Sequence, residues 1–176
     1  MKRLTISILG VLLAAGCGSS SSSPSTPTTG AGTSTIRFTA ALSPSQEVPA
    51  ITNAESTGSG TATIDFNITR DANNTITAST VNFQVNMTGF PSTAVVNIAH
   101  IHTGAAGVNG AVLVNTTTTA GEVVLTGGAG SFTRVGISLS AVNAQSIIDN
   151  PAGFYFNVHT TLNPGGVIRG QLARAN

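Results

Sequence analysis

The chain has three histidines, His100, His102 and His159. They are the side chains best suited to chemistry. His100 and His102 stand two residues apart, and on a strand that spacing puts both imidazoles on one face, about 7 Å apart at ~3.3 Å per residue. Two imidazoles so placed can reach one ion, and His159, on another strand, can bring a third nitrogen. Zinc and copper both accept imidazole, so the three form a candidate copper or zinc site. The competing reading is structural: imidazoles between strands can satisfy backbone carbonyls and hydroxyls without an ion. Val96 and Ile98 share the alternation of His100 and His102, which favours a partly buried location.

Other reactive groups are few. Glu47 and Arg169 are charges in a chain with few of them, and the planar Arg fork suits a carboxylate, so they are a candidate structural pair. Gly104, Gly107 and Gly110 lie in one loop. They could form an anion-binding nest, but a tight loop is the simpler expectation. Their spacing is not a dinucleotide fingerprint. Asp65 falls on the wet side of an alternating segment and reads as a solubilising charge. No nucleophile elbow and no Ser–His–acid set emerge from the spacing, so no catalytic residue is assigned and the chain reads as non-enzymatic. Asn-x-Thr at Asn67, Asn73, Asn86 and Asn115 follows from an Asn- and Thr-rich sequence.

The elements that must hold these groups are strands. Ile64, Phe66 and Ile68 alternate with Asp65 and Asn67. Val81, Phe83, Val85 and Met87 alternate with Asn82, Gln84 and Asn86, and Val135, Ile137 and Leu139 with Arg134, Gly136 and Ser138. Period-two alternation means strands with one buried and one wet face. Further strands are expected at 35–42, 94–103, 110–116, 121–126, 153–161 and 166–173. Asn163-Pro164-Gly165-Gly166 suits a type II turn between the last two. One short helix interrupts, with Ser140 as N-cap, Ala141, Ala144 and Ile148 at helical spacing, and Pro151 just past its end. Short strands with turns at these intervals predict an all-β Greek-key sandwich with one short helix.

The N-terminus has a different character. Met1-Lys2-Arg3 precedes an apolar stretch, Leu4–Ala15, of 12 residues. As a helix it would span about 18 Å, too short to cross a bilayer comfortably. A charged start, an apolar centre and small residues before Cys17 are the parts of a secretory signal. Ala14-Ala15-Gly16-Cys17 resembles the lipobox of bacterial lipoproteins, with Ala14 where Leu is usual. That resemblance implies a signal peptide at residues 1–16, a lipid on Cys17 and a mature protein outside the cytoplasm. The lipid would anchor it to a bacterial membrane, with the outer membrane or cell surface expected. Residues 17–34 are mostly Ser, Thr, Pro and Gly and read as a disordered tether, leaving a domain over 35–174.

Seven basic residues fall to five once Lys2 and Arg3 are set aside, against six acidic ones. No basic patch remains to bind nucleic acid. Cys17 is the only cysteine, so the domain must fold by packing, without an internal disulfide. About 140 residues suffice for one core.

Three stretches of the domain carry a resemblance. Near its start is Leu42-Ser43-Pro44-Ser45-Gln46-Glu47-Val48-Pro49, followed by Gly58-Ser59-Gly60-Thr61-Ala62. In the middle is Ala99-His100-Ile101-His102-Thr103-Gly104, then Gly107-Val108-Asn109-Gly110. Near the end is Tyr155-Phe156-Asn157-Val158-His159-Thr160, then Asn163-Pro164-Gly165-Gly166-Val167-Ile168-Arg169-Gly170-Gln171-Leu172. Their order and spacing resemble the CHRD domain, first defined in animal chordin and present in bacterial exported proteins. Val167 departs from the acidic residue frequent there. The resemblance implies a β-sandwich-type fold and an extracytoplasmic setting, but no mechanism: chordin antagonises growth factors that bacteria lack. A His-x-His strand in a sandwich is also similar to copper–zinc superoxide dismutase. That enzyme needs more histidines and an aspartate, so its activity is not expected. The sequence thus predicts a lipid-anchored binding or structural module of the cell envelope, with a protein or envelope ligand as partner. Copper or zinc binding through the three histidines is the alternative.

Overall fold

The computed structural model describes residues 31–175. The signal segment, Cys17 and most of the expected tether lie outside the described residues. Within them the fold is the expected all-β sandwich with one short helix.

The alternating segments form the long strands of a five-stranded antiparallel sheet. Its strands are β1 (Gly32–Leu42), β2 (Ser59–Arg70), β3 (Ile76–Thr88), β6 (Gly130–Ser138) and β9 (Ala173–Arg174), in the order β6-β3-β2-β1-β9. A four-stranded antiparallel sheet, ordered β5-β4-β7-β8, holds β4 (Val96–Thr103), β5 (Val112–Asn115), β7 (Phe154–Thr160) and β8 (Ile168–Gln171). Phe38, Ile64, Phe66 and Phe83 from the first sheet meet Ala99, Ile101, Phe156, Val158 and Ile168 from the second in one core. The Phe83 and Phe156 rings touch across it at 5.8 Å. Ser43 and Arg169 exchange backbone hydrogen bonds of 3.0 and 3.1 Å, which stitches the end of β1 to β8 and joins the sheets.

Helix α1 (Ala141–Asp149) follows β6, and the Ser140 hydroxyl caps it by accepting from the Asn143 amide at 3.1 Å. Ala144 and Ile147 are its fully buried residues, while Ile148 packs at the margin. Pro151 opens a 3-10 turn, Pro151–Gly153, directly after the helix. No helix among the described residues is long and apolar enough to cross a membrane.

Several details differ from the expectations. Strand β1 starts at Gly32, three residues before the expected domain start at Thr35. In β6 the alternation breaks at a bulge: Val81 faces Ile137 and Phe83 faces Arg134, so Val135 and Gly136 together oppose Asn82. Gly136 takes φ +69° and donates to the Asn82 side chain at 2.8 Å. Phe132 is therefore the buried residue of this stretch, and Val135, expected inside, is 71% exposed. Residues 121–126 form no strand, only isolated bridges of Val124 with Val95 and Thr126 with Ala129, between turns. The strand expected over 166–173 is two, because the chain leaves β7 after Gln171 and pairs with β1 at Ala173. The 163–166 turn closes through the Gly166 amide on the Asn163 carbonyl at 3.1 Å. Its positive φ falls on Gly166, not on Gly165, so it is not type II.

Candidate metal centre

A second bulge creates the site. The pairing of β4 with β7 slips between Val96 and Ile98. Val96 is in the core, and beyond the slip so are Ala99 and Ile101. Ile98, His100 and His102 therefore take the opposite face, and Val96, which had seemed in phase with the histidines, does not. On β7, Phe156 and Val158 face the core, while Tyr155, Asn157 and His159 face away. Register sets His100 opposite Asn157, His102 opposite Tyr155 and Ile98 opposite His159. Arg169 and Gln171 continue this polar face on β8.

The face is polar yet buried, because loops cover it. The three histidines, Asn157, Tyr155 and Arg169 are all buried. Residues 104–110 lie over the β8 side, where the Arg169 guanidinium donates to the carbonyls of Ala105 and Val108 and to the Asn109 side chain. Asn109 in turn donates to the Val48 carbonyl at 2.7 Å, tying this loop to the one that carries Glu47. The glycine-bearing loop therefore presents carbonyls to a cation, and the anion-nest alternative has no support there.

One candidate ligand atom from each histidine lies within 4.8 Å of the other two. His102 Nδ1 is 3.0 Å from the Gly110 carbonyl, which can only accept, so the ring proton sits on Nδ1 and Nε2 holds a lone pair. That Nε2 is buried and has no hydrogen-bond partner. His159 is oriented the same way, with Nδ1 donating to the Pro164 carbonyl at 2.9 Å. Its Nε2 lies 3.3 Å from His100 Nδ1 and 3.0 Å from Asn157 Oδ1. With Nδ1–H on Pro164, His159 Nε2 and Asn157 Oδ1 meet as two acceptors. A shared cation removes that conflict, and so does turning the Asn157 amide to present its NH2 group.

Two of the three rings thus have the arrangement common to metal-bound histidine, one nitrogen fixed by a backbone carbonyl and the other left with a lone pair. Burial lowers the basicity of all three, with neighbouring histidines adding to it for His100 and His159 and Arg169 for His102. His100 falls furthest, to about 4, through burial and then His159 and His102. Neutral imidazole is the form that ligates.

Tyr155 stacks on His102 at 4.8 Å with the rings 4° from parallel. The Arg169 guanidinium lies over the Tyr155 ring, 3.4 Å from its centre. Glu47 is near but separate: it forms no direct ion pair with Arg169, whose hydrogen bonds go to the 105–109 loop and Gln171. Arg169 acts on Glu47 through charge alone. Burial dominates and raises the Glu47 carboxyl to about 7, opposed by Arg169 and by the Asn157 side chain. Glu47 Oε1 is buried without a hydrogen-bond partner. A glycine at 166 permits its approach, since a Cβ there would lie 2.5 Å from Glu47 Oε1 and 2.7 Å from Asn157 Nδ2.

Asn157 and Tyr155 were not among the residues the sequence singled out. Their signal was the same period of two that His159 obeys, read on the face that carries polar residues.

The CHRD domain family matches residues 38–172, a span that contains every residue of this polar face. The chain belongs to the CHRD family. No curated protein matches it. In this CHRD domain the histidine pair and the third histidine come from neighbouring strands of one sheet, β4 and β7. The Gly110 and Pro164 carbonyls that orient them come from the loops following β4 and β7.

Proposed function

We propose that this CHRD protein is an exported, lipid-anchored and non-enzymatic binding module of the cell envelope. Its ligand is a single copper or zinc ion held by His100, His102 and His159. The observation that carries the metal reading is His102 Nε2, a buried nitrogen without a hydrogen-bond partner, in a cluster of three histidines whose candidate ligand atoms lie within 4.8 Å of one another. Buried polar atoms are hydrogen-bonded in the great majority of cases, so an unmatched acceptor beside two further imidazoles favours a cation as its partner. Three protein donors are a common set for such ions, and Asn157 Oδ1 lies 3.0 Å from His159 Nε2 as a further oxygen.

The envelope reading rests on Lys2, Arg3, the apolar stretch to Ala15 and Cys17. Isothermal calorimetry of the metal-free protein with copper and with zinc tests the metal reading. One equivalent should bind, and His102→Asn should abolish it. Affinity weaker than tens of micromolar, about −6 kcal/mol, for both ions would reject the reading. For the anchor, Cys17→Ala should release the protein from the membrane fraction of its host.

A further inference from the structure

We propose that the three-histidine centre is selective for monovalent copper over divalent ions. This deepens the metal-binding reading and rests on it. The donor set comes first. Among the described residues, the ligand group holds three imidazoles and no carboxylate or thiolate. A divalent ion there would keep its full charge in a buried place, where uncompensated charge is most costly. Zinc on three imidazoles fills a fourth position with water or another donor, whereas Cu(I), a closed-shell monocation, is satisfied by three nitrogens.

The surrounding charges favour the same ion. Arg169 stacks on Tyr155 at 3.4 Å, and Tyr155 stacks on His102 at 4.8 Å. This puts a fixed positive charge within roughly 8 Å of a ligand ring, enough to disfavour the second charge of a divalent ion by about thirtyfold at an effective dielectric constant of ~20. Two carboxyl groups are close to this face and neither belongs to the ligand group. Glu55 is taken by the Thr160 hydroxyl and the Asn163 amide, both at 2.5 Å. Glu47 lies against Gly166 and Asn157, on the far side of the amide from His159.

The test is a pair of competition titrations on the full chain carrying Cys17→Ser, which removes the one thiol that would itself hold Cu(I). Cu(I) is titrated without oxygen against a chromophoric Cu(I) chelator, and Zn(II) against a zinc-sensitive dye. One equivalent of Cu(I) should bind at least about thirtyfold more tightly than Zn(II), and His102→Asn should lose it. Zinc binding as tightly as Cu(I), or more tightly, overturns the selectivity and leaves the metal reading standing. Failure of both ions to bind overturns the metal reading and the selectivity with it. Cu(I) retained by the His102→Asn protein places the ion elsewhere and overturns the proposal.

Discussion

Replacing Glu47 with Gln should change how the stability of this protein depends on pH. Glu47 is 7% exposed, and burial raises its carboxyl from 4.5 to about 7. Between these two pH values the folded chain holds a proton that the unfolded chain has released. Stability therefore falls as pH rises through that window, and the loss is complete above pH 7. The full difference corresponds to about 3 kcal/mol, and residual solvent contact brings the expected value to about 2–3 kcal/mol. Gln has nearly the same shape and does not ionise, so Glu47→Gln removes this loss. The histidines act in the opposite direction, because their lowered basicity destabilises the fold as pH drops below 6.5. That contribution is common to both proteins and cancels in the difference.

Urea denaturation at pH 4, 5, 6, 7 and 8, with a chelator present, measures the effect. The Gln protein should gain about 2–3 kcal/mol relative to the original between pH 4 and pH 8. Parallel profiles, within about 0.5 kcal/mol of each other, would refute the reasoning, for they would mean that the carboxylate is solvated or fully compensated by Arg169. A gain for the Gln protein that grows toward low pH would also refute it, since that is the signature of a carboxyl held below its ordinary range.

Further changes test other parts of the fold. Gly166→Ala puts a Cβ 2.5 Å from Glu47 Oε1 at φ +128° and should cost about 2–4 kcal/mol in urea denaturation. Thr160→Val removes a 2.5 Å hydrogen bond to the buried Glu55 carboxylate and should cost about 2–3 kcal/mol by the same assay. Val135→Thr should cost under about 0.5 kcal/mol, whereas Phe132→Ala should cost about 3–4 kcal/mol, and near-equal costs would contradict the bulge at Gly136.

Most of the sandwich is legible from alternation, because β2 from Ala62 to Ile68 and β3 from Val81 to Met87 keep strict phase with one face on the core. The phase breaks in β4 and β6 were not legible. A bulge adds one residue to a strand, and nothing in the types Val96-Asn97-Ile98 or Val135-Gly136 states on which side of the slip the core lies. Residues 121–126 carry strand-like Val123, Val124 and Leu125, but neighbouring turns and the Glu122 side chain, which accepts from the Thr119 amide, hold them as isolated bridges. At the site, the histidines were legible from residue type, and their convergence followed once β4 and β7 were paired. Arg169 was found by its charge, but its partners were not, since they are loop carbonyls about 60 residues away in sequence. Asn157 and Tyr155 carry no charge and were visible only through register.

The energetic cost of this polar face argues for its use. The face of a sandwich sheet that turns away from the core is ordinarily solvated, and polar residues there cost little. Here loops cover it, and His100, His102, Asn157, His159 and Arg169 lose water. Packing alone would be served better by apolar side chains under those loops, since a buried ionic or polar group usually gains nothing over a well-packed hydrophobic one. Most of the buried groups are still matched: Arg169 by loop carbonyls, and His102 and His159 each by one carbonyl. Among the described residues, the buried side-chain atoms that remain unmatched are His102 Nε2 and Glu47 Oε1. The first lies among the three histidines, and the second lies beside the same face, against Gly166 and Asn157. An unmatched acceptor on the face that gathers all three histidines supports the proposed cation site, whose loops would set the ligand orientation before an ion arrives.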